Sequence, residues 1–390
     1  MGGNAYYLSA RSNHLSIGES FGYAVAGAWL WEYFGEVDQS VSANDVIVTP
    51  FTGIGIGEPA TQLSAFFDRQ RPTLAHRTLA TIFSPLKSLN DVLDGVTLSR
   101  EPNPRDDWHR FSAATSAVFT HSELKQPERT VSERTELRVE ISERLARLTG
   151  YDSAAHVAGW FDDGNVSSMS LGATLASRGL RELEFKADAL PAGYYQRDVR
   201  STTDGMLGNA WLLGFQVGYG YHAHDYHAAP ASGLNRAVFV KPLGAVFEYR
   251  GELGKISVAS RVSASALYGG VHPIASEAYG PARAELAAVV SKFDYYFAAG
   301  GEIETSLSVR VLRLEADLNL LGRSVACVDR HVQVPISDSW QRLQWGVAYR
   351  IQPAWSLRLY SDDSLRTGRM GAAHAQAHER ALGLETRANF

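Results

Sequence analysis

Ala381-Leu-Gly-Leu-Glu-Thr-Arg-Ala-Asn-Phe390 places Leu382, Leu384, Thr386, Ala388 and Phe390 on one face of an extended chain, and Ala381, Gly383, Glu385, Arg387 and Asn389 on the other. Side chains of a strand alternate between two faces, so one face here is apolar and the other charged. A soluble protein seldom ends on such a strand, because its free edge invites aggregation. A bacterial outer-membrane barrel does so routinely. Its last strand closes the barrel, and a terminal aromatic such as Phe390 resembles the signal read by the barrel-insertion machinery.

Working back from this stretch, period-two patterning continues. It is cleanest at Trp211, Leu213, Phe215, Val217 and Tyr219, with Gly214, Gln216, Gly218 and Gly220 between them. It recurs at Ile256, Val258, Val262, Ala264 and Ala266, opposite Lys255, Ser257, Arg261, Ser263 and Ser265, and at Leu343, Trp345, Val347, Tyr349 and Ile351. Strands are expected near 108–120, 134–145, 165–177, 180–189, 205–222, 234–250, 254–268, 291–300, 302–321, 339–351, 354–366 and 376–390. That is about twelve, an even number, as single-chain bacterial barrels require. Around Val311-Leu312 the alternation slips phase, which reads as a β-bulge within the 302–321 strand. The polar faces carry charge of both signs, which a barrel can pair inside its lumen. The fold class that follows is an all-β transmembrane barrel of about twelve antiparallel strands, with Trp211, Phe215, Trp345 and Phe390 facing lipid and Gln216, Arg261, Arg313, Glu315 and Arg387 facing the lumen.

Composition agrees with this class. The 390 residues carry a net charge of −5 and 45% hydrophobic residues, with a mean hydropathy of −0.17. Polar lumen positions dilute the average of a membrane barrel to such values. Nothing points to nucleic-acid binding. The longest apolar run, Phe21 to Leu30, is far short of the roughly 20 residues of a transmembrane helix. The single cysteine, Cys327, excludes an internal disulfide and a cysteine-rich metal site.

Residues 1–95 have a different period and form a helical, glycine-rich segment, with the barrel over 96–390. Ser16 and Glu19 have capping-box spacing ahead of a helix that runs to Phe34, with Gly35 as its stop. A second helix is expected from Ser42 or Asn44 to Phe67, through the Gly53-Ile-Gly-Ile-Gly57 run. A third spans Leu74 to Leu93, broken near Pro85. A twelve-stranded barrel leaves a lumen that strand side chains alone do not fill. The helices are therefore expected to act as a plug inside the barrel or to close its periplasmic mouth.

The motifs Asn4-Ala-Tyr-Tyr-Leu-Ser-Ala-Arg-Ser-Asn13, Glu19-Ser-Phe, Trp31-Glu-Tyr-Phe-Gly-Glu36, Asn44-Asp-Val-Ile-Val-Thr-Pro50 and Gly57-Glu58 resemble a bacterial outer-membrane β-barrel family known only as a domain of unknown function (DUF3943-like). The resemblance covers about residues 4–95 and brings no activity with it. It implies an exported protein, so the signal peptide is expected to have been removed or lost from a truncated start.

Three sets of residues are candidates for chemistry or fastening. Glu19, Glu32, Asp45 and Glu58 lie among apolar and small residues, where a carboxylate must be paired, protonated or functional. Asp45 and Glu58, thirteen apart, are read as lying roughly on a common side of one helix. The favoured account is structural: Glu19, Glu32, Glu36, Asp45 and Glu58 bond to Arg11, Asn13, Asn44 or backbone amides and fasten the helices to the barrel. A catalytic carboxylate cluster is the rival. His222 and His224 share a face at i, i+2 in Tyr221-His-Ala-His-Asp-Tyr-His227, a spacing that can chelate a transition metal with His227 nearby. A solvent-exposed or rim histidine cluster is the favoured reading, and a metal site is its rival. Gly18-Glu-Ser-Phe-Gly22 matches the nucleophile-elbow pattern but lacks the apolar strand that must precede it.

The expected protein is a non-enzymatic outer-membrane barrel: a plugged pore, transporter or envelope scaffold. An outer-membrane enzyme acting on lipid or lipopolysaccharide is the alternative. No cofactor is expected, and the expected partners are outer-membrane lipid, lipopolysaccharide and, during biogenesis, the insertion machinery, with the chain itself a monomer.

Overall fold

The computed structural model describes residues 2–35, 43–70, 73–95, 107–125, 128–177, 179–226, 235–274, 295–328, 332 and 334–390. The amino-terminal part holds α1 (Gly2–Ser12), α2 (Ile17–Leu30, continued by a π turn over Trp31–Gly35), α3 (Ala43–Arg69), α4 (Leu74–Phe83) and α5 (Pro85–Leu93). The Ser16/Glu19 capping box is formed, and Pro85 opens α5 at its first turn, where a missing amide proton costs nothing.

Thirteen strands follow: β1 (Asp107–Lys125), β2 (Arg129–Arg147), β3 (Ala155–Phe161), β4 (Val166–Ala176), β5 (Gly179–Thr202), β6 (Gly205–His224), β7 (Asn235–Gly254), β8 (Ile256–Val271), β9 (Tyr296–Val311), β10 (Leu314–Cys327), β11 (Ile336–Gln352), β12 (Trp355–Met370) and β13 (Ala373–Asn389). All pair antiparallel, and the β1–β13 and β5–β6 ladders complete the ring. β3 and β4 pair with successive stretches of β5, at Gly193–Val199 and Gly179–Leu190, so together they make one interrupted stave. The barrel thus has twelve staves. Phe390 extends the closing ladder by exchanging two backbone hydrogen bonds with Phe111, at 2.8 and 3.3 Å.

The phase slip at Val311-Leu312 is a tight turn rather than a bulge. Val311 pairs with Leu314, Leu312 takes a φ of 57°, and one expected strand becomes the end of β9 and the whole of β10. The alternation is otherwise realised as expected. Arg261, Arg313, Glu315 and Arg387 line the lumen, Gln216 is fully buried, and Phe215, Trp345 and Phe390 are exposed on the outer wall.

The interior changes character along the barrel axis. At the end away from Asp107 and Phe390, the inward residues Phe239, Leu267, Val271, Tyr296, Val325, Ile336 and Met370 form an apolar cluster. Below it, charged side chains pair from wall to wall. Arg138 meets Asp362 at 3.2 Å, Lys186 meets Glu304 at 3.1 Å, and Arg144 meets Glu248 at 2.5 Å. A polar cavity of about 890 Å³ occupies the part nearer Asp107 and Phe390 and is lined by residues of both charges.

No helix residue lines that cavity. The helices pack against the outside of the barrel, which corrects the expectation of a plug or a mouth closure. Ile54 of α3 clusters with Ala189 and Val217, and Leu63 and Phe66 cluster with Leu145, Phe111 and Met169. Each of the wall residues Ala189, Val217, Leu145 and Phe111 directly follows a lumen-facing one (Asp188, Gln216, Arg144, Arg110) and so points outward. The physical reason is visible in the lumen: the charge pairs already span it, leaving no apolar seat for a helix. Register shifts between Ala189/Ala192, Gln216/Gly218 and Val240/Gly244 lie on adjacent strands in this part of the wall. Such bulges bend a sheet.

The glycine run makes close packing of this layer feasible. A Cβ on Gly55 would lie 2.8 Å from the carbonyl carbon of Gly218, and one on Gly53 would lie 2.6 Å from the Gly3 oxygen. Helix α3 is thus held between α1 and the wall, with backbone on both sides. Gly55→Leu is expected to weaken this docking by about 1–3 kcal/mol, the usual cost of overpacking. In limited proteolysis of the detergent-solubilised protein, residues 43–69 should be protected in the native chain and cut in the variant, while the barrel keeps its heat-modifiable gel mobility. Equal protection in both would contradict this packing.

Candidate functional site

Two buried polar clusters hold four of the candidate residues, Arg11 and Glu58 in one and His222 and His224 in the other. The first joins the helices to the barrel at Glu58. Tyr7 and Arg11 lie one turn apart on α1 and face α3, where Gly57 lets the Tyr7 ring approach: a Cβ there would sit 2.7 Å from its Cδ1. The Tyr7 hydroxyl donates to Glu58 Oε2 at 2.6 Å. Arg11 meets the same oxygen through Nε at 3.0 Å and donates through Nη2 to Oε1 at 3.1 Å. Gln62, one turn along α3, also donates to Oε1. The cluster continues into the β3–β4 connection, since Gln62 donates to the Asp163 carbonyl at 3.2 Å and Arg147 does so at 3.1 Å. Gly164 has a φ of 59°, and a Cβ there would lie 2.6 Å from Glu58 Oε1.

Burial pushes the Glu58 carboxyl above its ordinary range, against the pull of Arg11, Tyr7 and Gln62. Burial, and then the charge of Glu58, hold the Tyr7 hydroxyl well above its usual value, so it remains a donor. The arrangement makes a clamp. Among the described residues, the groups bonded to the carboxylate are Tyr7, Arg11 and Gln62, and each donates to it.

The other helical candidates do not join Glu58. Glu19 accepts from the Ser16 amide at 2.9 Å and caps its own helix. Asn13, in the turn just past α1, donates back to the Ser9 carbonyl of that helix at 2.8 Å. Glu32 is buried in the π turn. Asp45 is exposed, whereas Glu58 has no exposed surface. Thirteen residues at about 3.6 per turn are a little over three and a half turns, so the two point to opposite sides of α3, contrary to the expected common side. Glu36 and the Asn44 side chain lie outside the described residues, as does His227. Ser20 is buried within α2 and donates to the Leu15 carbonyl at 3.4 Å, so no nucleophile elbow forms.

The second cluster is in the lumen, beneath the apolar residues that fill the far end. His222 and His224 point inward from β6, and Glu182 on β5 is paired in register with His224. Glu182 Oε1 is 3.1 Å from His222 Nε2 and 3.7 Å from His224 Nδ1. Its other oxygen accepts from Thr174 at 3.1 Å and Arg138 at 3.2 Å. His224 Nε2 lies 2.8 Å from Glu379 Oε2 on β13, and Glu379 Oε1 accepts from Ser122 at 2.8 Å. The His222 ring stacks on Trp340 at 4.6 Å and the His224 ring lies against Tyr226 at 4.3 Å. Among the described residues, Glu182, His222 and His224 are the one group of three or more such side chains whose ligand atoms all lie within 4.8 Å of one another. Reasoning from sequence alone missed Glu182 and Glu379. The alternating charges of Glu182-Leu-Glu-Phe-Lys-Ala-Asp188 mark an inward face, but only strand register sets which charge meets which histidine.

Arg11→Met removes the cation beside Glu58 and is expected to cost about 3–5 kcal/mol, because the carboxyl keeps its burial and loses its counter-charge. The loss should grow as pH rises. A carboxyl with a raised folded-state pKa favours the fold most below its unfolded value and loses that contribution as pH passes through the folded value. Denaturant titrations of native and variant protein at several pH values provide the check; a pH-independent difference would show that Glu58 stays neutral throughout.

Residues 1–86 match the family model described as a domain of unknown function, DUF3943. No curated protein matches the chain. Among solved structures, the chain is similar to outer membrane phospholipase A from Escherichia coli (9% identity, 70% of this chain and 89% of that one, TM-score 0.30). It is also similar to the COG4313 outer membrane channel from Pseudomonas putida F1 (13% identity, 74% and 100%, TM-score 0.30), and to OmpT of Vibrio cholerae (6% identity, 72% and 99%, TM-score 0.25). Likenesses at this level assign no activity to the chain.

Proposed function

We propose that this protein is a non-conducting outer-membrane barrel, an envelope scaffold that holds a helical layer against its outer wall. The observation that carries the reading is the lumen itself. Ion pairs such as Arg138–Asp362, Lys186–Glu304 and Arg342–Glu184 tie opposite staves together. The Phe239–Met370 apolar cluster fills the end beyond them. A water-filled pore keeps a continuous polar channel, and among the described residues these two layers interrupt one.

The membrane location draws support from the outer wall. Leu213, Phe247, Val262, Ile303, Trp345, Leu359 and Leu384 form an exposed apolar surface on strands of sixteen residues or more, and a soluble protein rarely tolerates so large a patch. The helical layer continues that surface, with Trp29, Leu30, Trp31 and Phe34 exposed at the end of α2. Lipid and lipopolysaccharide are therefore the partners of both, and Phe390, paired to Phe111 at the seam, serves as the insertion signal.

Reconstitution into planar bilayers tests the scaffold reading. The native chain should give no steady single-channel current, and a stable porin-like conductance would overturn it. Location is tested separately. Arginine at Leu343 or Val347 should cost about 2–4 kcal/mol if these sites lie near the bilayer midplane, and arginine at lumen-facing Gln344 should cost much less. Equal tolerance would argue for a soluble barrel.

A further inference from the structure

We propose that Glu182 Oε1, His222 Nε2 and His224 Nδ1 form a binding site for one divalent transition-metal ion of the zinc class. Four-coordinate zinc holds nitrogen and oxygen ligands at about 2.0–2.2 Å, which places them about 3.3–3.6 Å from one another. The separations of Glu182 Oε1 from the two ring nitrogens, 3.1 and 3.7 Å, bracket that range. Two imidazoles and one carboxylate suit zinc, nickel or copper and disfavour calcium or magnesium, which take oxygen ligands.

The surroundings orient these three atoms. A histidine that ligates a metal through one nitrogen nearly always presents the other to a carboxylate or carbonyl. His224 does this, with Nδ1 toward Glu182 and Nε2 toward Glu379 at 2.8 Å. Glu379 is in turn held by Ser122 at 2.8 Å and Arg181 at 3.3 Å. Arg138 and Thr174 occupy the far oxygen of Glu182 and leave Oε1 to the rings. Trp340 stacks on His222 and fixes its plane. The ligands stand on β5 and β6, rigidly paired in register, so little ordering remains to oppose binding.

A fourth position and an entry path are also present. A cavity of about 30 Å³ adjoins the cluster, enough for one water. Arg138, Thr174, Glu182 and Arg342 line both it and the large polar cavity, so an ion reaches the site from the Asp107/Phe390 end of the barrel. Binding requires the ligating nitrogens to be free of protons, and any proton held between His222 and Glu182 is released to solvent.

The test uses untagged full-length protein in detergent, stripped with EDTA, desalted and titrated with Co²⁺. Visible d–d bands should rise to saturation at about one equivalent and be displaced by Zn²⁺. His222→Gln and His224→Gln should abolish the bands in protein that keeps its heat-modifiable mobility. Glu379→Gln, which among the three ligand residues meets only the second nitrogen of His224, should weaken binding by about 10–100-fold. His121→Gln, at an exposed histidine paired with Glu133, should change nothing. A featureless Co²⁺ spectrum for the native chain would overturn the proposal. So would binding that survives both histidine changes or follows His121. Should a histidine variant fail to fold, the native spectrum and the Glu379→Gln shift decide the matter.

Discussion

Charge pairing across the lumen is the constraint on which the rest of this structure depends. Twelve staves enclose more space than strand side chains can fill with apolar atoms. Long arginine, lysine and glutamate side chains bridge the gap, and a charge held largely out of bulk solvent needs a partner. Arg342 illustrates the point: it donates to Asp362 at 2.6 Å and reaches Glu184 across the lumen at 3.4 Å. Once such pairs tie opposite walls, the interior has no place for a helix.

The position of the helical segment follows from that exclusion. Its apolar faces still need cover, and the outward face of β4–β8 supplies it. A membrane-facing wall offers mostly side chains, and helices approach one closely only where small residues clear the way. Gly55 over Gly218 and Gly57 under Tyr7 are those places. The close approach traps Glu58 away from solvent, and Arg11, Tyr7 and Gln62 compensate its burial. Tyr7, Arg11, Gly57 and Glu58 all belong to the motifs that carry the family resemblance, so the motif at residues 4–13 and the one at 57–58 meet in a single clamp.

Sequence reading reached the elements more readily than their assembly. The Ser16 cap, the break at Pro85, the alternation of β6 and β11 and the closing strand at Phe390 depend on neighbours within a few residues, and all are formed. The misreading at Val311-Leu312 shows the limit of local signal. A one-residue slip and a two-residue turn disturb the alternation alike, and only the pairing of Val311 with Leu314 tells them apart.

What the sequence by itself determined, then, is the barrel and which of its faces turns inward, because period-two patterning is a property of the chain alone. It also determined that two histidines share an inward face. Only the tertiary structure decided which wall of the barrel the helices cover and that Glu182 and Glu379 flank those histidines. Those outcomes depend on strand register and on the space left after the lumen charges have paired, and both join residues tens to hundreds of positions apart, as with Ser122 and Glu379.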